Sequence, residues 1–124
     1  MRGESILMVD AEYAPEAGDV AWTDFDSRIG REQSGRRPAL VLSPVEFFQA
    51  SAFMIVCPIT SSIKNFGSSV LLPTDFAIQG EILTSHVRSI DTLVRPIKYS
   101  GVNVSQHILK EVRLKLAILC GMTF

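Results

Sequence analysis

Between Arg28 and Arg37 the chain sets four arginines, Arg28, Arg31, Arg36 and Arg37, against the single acid Glu32, a local formal charge of +3. A guanidinium presents a planar fork of N–H donors and stays charged at any working pH, so such a cluster suits the nonbridging oxygens of a phosphate. The same charges suit a solvated loop in which they pair with Asp24, Asp26 and Glu32, and charge counting leaves both readings open. Position separates the arginines. Arg37 directly precedes Pro38 and the apolar PALVLSP, so its backbone is held by a core segment, and firm placement is what catalysis requires. Elsewhere, Thr60 in VCPITSS is either a turn hydroxyl bonded to its own backbone or a donor for a ligand. His86 in TSHV is either a strand histidine facing solvent or an acid–base group, since imidazole chemistry operates near neutrality. His107 reads as an exposed helix residue.

These residues need a frame, and the hydrophobic pattern supplies one. GDVAWTDFD alternates Val20, Trp22 and Phe25 with smaller or polar residues and predicts a first strand, with Trp22 and Phe25 in the core. A loop is expected over residues 26–37, then a strand through PALVLSP bounded by Pro38 and Pro44. Phe53 to Cys57 reads as another buried strand stopped by Pro58 and followed by a polar turn. SSVLLPT and GEILTSHVRSID supply two further strands, with Gly80 as the break before the second. The period then changes: Ile108, Val112, Leu116 and Leu119 recur at helical spacing, with Ser105 as N-cap and Gly121 as the stop. The fold class implied is mainly β, a small antiparallel barrel with a C-terminal α-helix packed against it.

Composition bounds what such a domain can do. With 124 residues, 47% hydrophobic and 20% charged, one core is expected, preceded by an N-terminal extension over residues 1–17 that carries no assigned function. The net charge of -1 excludes a polycationic molecule, so any anion site must be local. Cys57 and Cys120 lack the spacing of a zinc site or disulfide framework and read as buried thiols of a cytoplasmic protein. The apolar SILMV, closed by Asp10, is too short for a signal core or a membrane span.

The order GDVAWTDFD, GREQSGRRPALVLSP, VCPITSS and GEILTSHVRSIDT resembles the MazF/PemK (Kid-like) toxins of type II toxin–antitoxin systems, over about residues 18–120 and within a domain placed at residues 18–124. The resemblance implies an SH3-like barrel of the PemK/MazF/CcdB type that forms a homodimer, cleaves single-stranded messenger RNA without a metal or other cofactor, and is inhibited by a cognate acidic antitoxin. Arg37 matches the family's catalytic arginine before proline, Thr60 its active-site threonine, and Glu32 and Gln33 the EQ of its loop. Arg28, Arg31, Gln33, Arg36 and Lys64 become the expected RNA-side groups.

The chain also departs from the family. Ser85 and His86 stand where some members carry an aspartate and a glutamine, and Arg31 stands where some carry a histidine. Glu32 and His86 are therefore the two candidates for the proton acceptor. Arg88 and Asp91 fall in the third motif and read first as a structural ion pair. A noncatalytic barrel acting by protein binding, as the gyrase-poisoning toxins do, is the alternative that the changes at Ser85 and His86 keep open.

Overall fold

The computed structural model describes residues 12–25 and 36–122. In chain order they form β1 (Asp19–Asp24), β2 (Arg36–Val41), α1 (Val45–Ser51), β3 (Phe53–Thr60), β4 (Val70–Leu71), β5 (Glu81–Ile82), a single 3-10 turn at Thr84–His86, β6 (Arg88–Asp91), β7 (Ile97–Asn103) and α2 (Gln106–Leu119). The strands make one seven-stranded sheet in the order β4-β5-β3-β2-β1-β7, with β6 also paired to β3. Every pairing is antiparallel. The sheet is an open version of the expected barrel, since β4 and β7 end the path without pairing.

Side chains alternate between the two faces of a strand, and here both faces are covered. Val20, Leu40, Cys57 and Ile59 point to one face and pack with Ile108, Leu109 and Val112 of α2. Their neighbours Ala21, Ala39, Val41 and Val56 point to the other, where they pack with Met54, Ile90 and Ile97. That double covering explains why ALVL and MIVC are unbroken apolar runs.

α2 begins where the Ser105 hydroxyl accepts from the Ile108 amide at 3.1 Å and ends where Gly121 takes a φ of 77°. Ile108, Leu109 and Val112 are buried, but Leu119 is 49% exposed, so the packed stripe ends earlier than the sequence pattern implied. Residues 12–17 lie against the domain. The Tyr13 ring stacks on Tyr99 with centroids 5.2 Å apart, the Tyr13 hydroxyl donates to the Asp19 carboxylate at 2.7 Å, and Pro15 is fully buried.

Several expectations need correction. The expected loop over residues 26–37 ends sooner, because Arg36 and Arg37 already belong to β2, opposite Asp24 and Thr23 of β1. β3 does not stop at Pro58 but runs through it to Thr60. In an antiparallel strand the N–H and C=O of one residue point to the same side. The Pro58 carbonyl accepts from Leu83, on the edge where β6 pairing ends at Val56 and β5 pairing begins at Ile59. The missing N–H of Pro58 thus falls in a gap between two partners, where no ladder bond is lost.

GEILTSHVRSID is likewise two strands separated by a 3-10 turn, one for each half of that edge. The short α1 buries no residue and carries no side-chain cap, so it left no helical period to read; it ends with Ala52 in the left-handed region at φ 66°. Cys57 is a buried thiol, with burial pushing its pKa up to about 12, but Cys120 is exposed.

Candidate functional site

The start of β2, the end of β3 and the 3-10 turn converge on one cleft. Arg37 occupies the second position of β2, Thr60 the last of β3, and His86 the last of the turn. Together with Phe25, Ile59 and Arg88 they line a space of about 370 Å³. Arg37 and Ile59 also line a second cleft of about 350 Å³ on their other side, which Trp22, Arg36, Ser61 and Gln79 help enclose. Among the described residues no carboxylate lines either cleft, and Arg37 has no acidic partner. Among the described residues the Arg37 guanidinium is therefore left with its donors available, on a backbone paired with Thr23 of β1.

Thr60 performs the turn role and faces the cleft at once. Its hydroxyl accepts from the Ser62 amide at 3.1 Å, while its own proton reaches only the Ser62 carbonyl at a long 3.5 Å. A bond that long is weak, so the proton can turn to a better acceptor in the cleft at small cost.

Gly80, read from the sequence only as a strand break, and Glu81, given no role there, hold Thr60 in place. Gly80 has a φ of 137°, and a Cβ there would stand 2.2 Å from the Thr60 carbonyl oxygen. Only glycine permits that approach of β5 to β3. Glu81, 3% exposed, accepts from the Lys64 amide at 2.7 Å and the Asn65 amide at 2.9 Å. Its carboxylate thereby pins the loop that leaves Thr60. The one signal available was the acid itself, set inside the apolar GEIL.

The remaining predicted residues divide. Arg36 is exposed on the second cleft. Lys64 is exposed, and its side chain lines neither cleft. Arg28, Arg31, Glu32 and Gln33 lie outside the described residues. Arg88 does not pair with Asp91. Its guanidinium lies 5.4 Å from the Phe25 ring centroid and donates to the Phe25 carbonyl at 3.4 Å, while Asp91 accepts from the Leu93 amide. A cation over a ring face is attracted by the ring quadrupole, so Arg88 anchors the end of β1 where the arginine-rich segment leaves it. Trp22 and Phe25, expected in the core, are half-buried instead, each forming part of a cleft wall. Among the described residues no three of His, Cys, Asp and Glu cluster in a way that could hold a metal ion.

The arrangement offers an anion two charged donors, Arg37 and Arg88, a hydroxyl at Thr60 and an imidazole at His86. Such a set can bind a phosphodiester and stabilise added negative charge on it.

Comparison with known proteins agrees with this geometry. The family model described as PemK-like, MazF-like toxin of type II toxin-antitoxin system matches residues 16–120. The endoribonuclease toxin MazF of Escherichia coli K12 is 32% identical over 111 residues, covering 90% of this chain and 98% of that protein. The crystal structure of MazF from Deinococcus radiodurans aligns with 40% identity and a TM-score of 0.80 over 90% of this chain and all of that one. A MazE-MazF structure from the same organism aligns with 39% identity and a TM-score of 0.83, again over 90% of this chain and all of that one.

Proposed function

Since the chain belongs to the PemK-like, MazF-like toxins of type II toxin–antitoxin systems, we propose that it is an endoribonuclease toxin that cuts single-stranded messenger RNA within the two-lobed cleft around Arg37. The observation that carries this reading is the placement of Arg37 between two clefts that no carboxylate of the described residues lines, with Thr60 and His86 on the wall of one of them.

RNA brings its own nucleophile. Attack of a ribose 2′-hydroxyl on the adjacent phosphorus forms a P–O bond, breaks the bond to the 5′ oxygen, and passes through a five-coordinate centre with added negative charge. Arg37 donates its fork to the nonbridging oxygens and Thr60 supplies a further O–H donor, so charge grows where donors already point. His86 takes the proton of the attacking hydroxyl, and the departing 5′ oxygen takes one from water. The products are a 2′,3′-cyclic phosphate and a 5′-hydroxyl end. Glu32 is the second candidate for the base, reached from the same loop as Arg28, Arg31 and Gln33. These residues and Arg36 hold the RNA backbone, with Lys64 on the flanking loop.

The protein works as a homodimer in the cytoplasm, and a cognate antitoxin with an acidic segment inhibits it by covering the positive cleft. The relative solved with MazE supports that partner. Complementary charge would also speed their encounter. No helix among the described residues is long and apolar enough to cross a membrane.

The test is incubation of the protein with mixed single-stranded RNA in the presence of EDTA, followed by sequencing and chemical analysis of the ends. Cyclic phosphate and 5′-hydroxyl ends are expected, with Arg37→Ala slower by about 100- to 1,000-fold, the usual cost of one preorganised donor. No cutting, or equal cutting by Arg37→Ala, would overturn the enzymatic reading in favour of a barrel that acts by protein binding.

A further inference from the structure

On its β7 side, β1 runs out of partner before it ends. The pairing stops at Thr23 opposite Ile97, and the next ladder position would set Asp24 opposite Pro96, which has no N–H to give. A side chain fills the gap. The Arg95 guanidinium, from the turn between β6 and β7, donates to the Asp24 carbonyl at 3.1 Å. One residue further, the Phe25 carbonyl accepts from Arg88 of β6 at 3.4 Å.

The base of Arg95 is fixed by its own turn. The Asp91 carbonyl accepts from the amides of Val94 at 3.0 Å and Arg95 at 2.9 Å, and the Asp91 carboxylate accepts from the Leu93 amide at 3.0 Å. Thr92 ties this turn to the start of β3, since its amide and hydroxyl both donate to the Ala52 carbonyl, at 3.0 and 2.7 Å. Arg95 therefore reaches β1 from a fixed point. A strand end paired on one side only opens at low free energy, and a charged donor on its last carbonyl opposes that opening.

On its other side β1 sets Asp24 opposite Arg36 and Thr23 opposite Arg37. Arg95 itself lines neither cleft, so its effect on the reaction passes through these pairs. We infer that Arg95 is a positioning residue for cleavage, standing in for the strand partner that Asp24 lacks and thereby holding the start of β2, with Arg37, at the cleft. A donor displaced by about 1 Å can cost about 100-fold in rate, which is how a group that does not touch the phosphate can matter. The inference rests on the RNA reading above, since that reading gives Arg37 its task.

The experiment is a double-mutant cycle on the full-length protein, with cleavage of single-stranded RNA read beside amide hydrogen exchange. Arg95→Ala should lower kcat by about 10- to 100-fold with KM little changed. On the Arg37→Ala background it should cost less than about twofold, because a residue that acts through Arg37 then has nothing left to position. Arg95→Lys, which keeps a cation and a donor at the site, should recover part of the rate. Exchange over Thr23–Phe25 and Arg36–Arg37 should quicken about tenfold in Arg95→Ala, as expected for the loss of one charged hydrogen bond. The buried Leu40–Val41 and Val56–Cys57 should exchange as in the wild type, which shows that the variant folds. Equal losses on the two backgrounds, unchanged exchange at the end of β1, or faster exchange across the whole sheet would each overturn the positioning role. Wild-type protein that leaves RNA uncut, with the end of β1 still loosened in Arg95→Ala, would overturn the enzymatic reading alone.

Discussion

Arg37, Thr60 and His86 line one cleft, but they reach it by different means and should fail differently. Arg37 acts through charge and Thr60 through a hydroxyl already partly spent on the Ser62 backbone. Thr60→Ser should therefore retain most activity, while Thr60→Ala should lose about 100-fold in kcat with little change in KM, as for a donor used mainly in the transition state. If His86 is the proton acceptor, His86→Ala should lose about 100-fold or more, and added imidazole should restore part of it. Restoration absent from His86→Ala but seen with a small carboxylate in Glu32→Ala would move the role to Glu32. The two thiols make a separate contrast. Burial holds the Cys57 thiol near a pKa of about 12 and away from reagents, whereas Cys120 is exposed. At mildly alkaline pH one thiol per chain should alkylate quickly, and Cys120→Ser should abolish that fast phase while the second thiol reacts only on unfolding.

At the scale of elements, the site depends on how β5 meets the end of β3. Gly80 allows the contact with the Thr60 carbonyl, and Glu81 ties down the following loop through the Lys64 and Asn65 amides. Gly80→Ala should displace Thr60 and cost both stability and cleavage, because its φ of 137° and the 2.2 Å approach are each incompatible with a Cβ. Glu81→Ala should destabilise by about 1–3 kcal/mol in urea unfolding, the cost of leaving its amide partners without a protein acceptor. It should also lower cleavage less than Thr60→Ala does, and an equal loss would mean that the loop itself carries chemistry. Neither residue was legible as functional in the sequence. A glycine between two strand candidates reads as a break, and the acid in GEIL has no partner to be read from until the loop at residues 61–66 is known to fold over it.

For the whole molecule, a net charge of -1 coexists with a cleft region lined by Arg36, Arg37 and Arg88 and, among the described residues, by no acid. Attraction to RNA is consequently local and short-ranged. The logarithm of the binding constant should fall with the logarithm of salt concentration with a slope of about -2, as about three phosphate contacts on a single strand imply. Arg36→Ala should reduce that slope by about 0.7 with little effect on the rate at saturation. A slope of about -3.5 would show that Arg28 and Arg31 add two further contacts to these three.

Much of this protein follows from the sequence alone. Period-2 alternation marks β1, unbroken apolar runs bounded by turn residues mark β2 and β3, and the later helical period marks α2, because a strand or helix must turn its apolar positions toward a core. The order of motifs around Arg37 and Thr60 was sufficient to place both in a family whose model matches residues 16–120. Neighbours are another matter. Periodicity encodes the face a residue takes and carries nothing about which strand lies beside it. Only the tertiary structure decided that β3 shares one edge between β6 and β5, that Pro58 falls harmlessly between them, and that Arg37 belongs to β2 instead of a free loop. It also brought His86 from a 3-10 turn into the cleft of Arg37 and Thr60, replaced an Arg88–Asp91 pair with a stack on Phe25, and gave Gly80 and Glu81 their work. Each of those facts depends on contacts between residues far apart in the chain, which form only when the whole sheet has assembled.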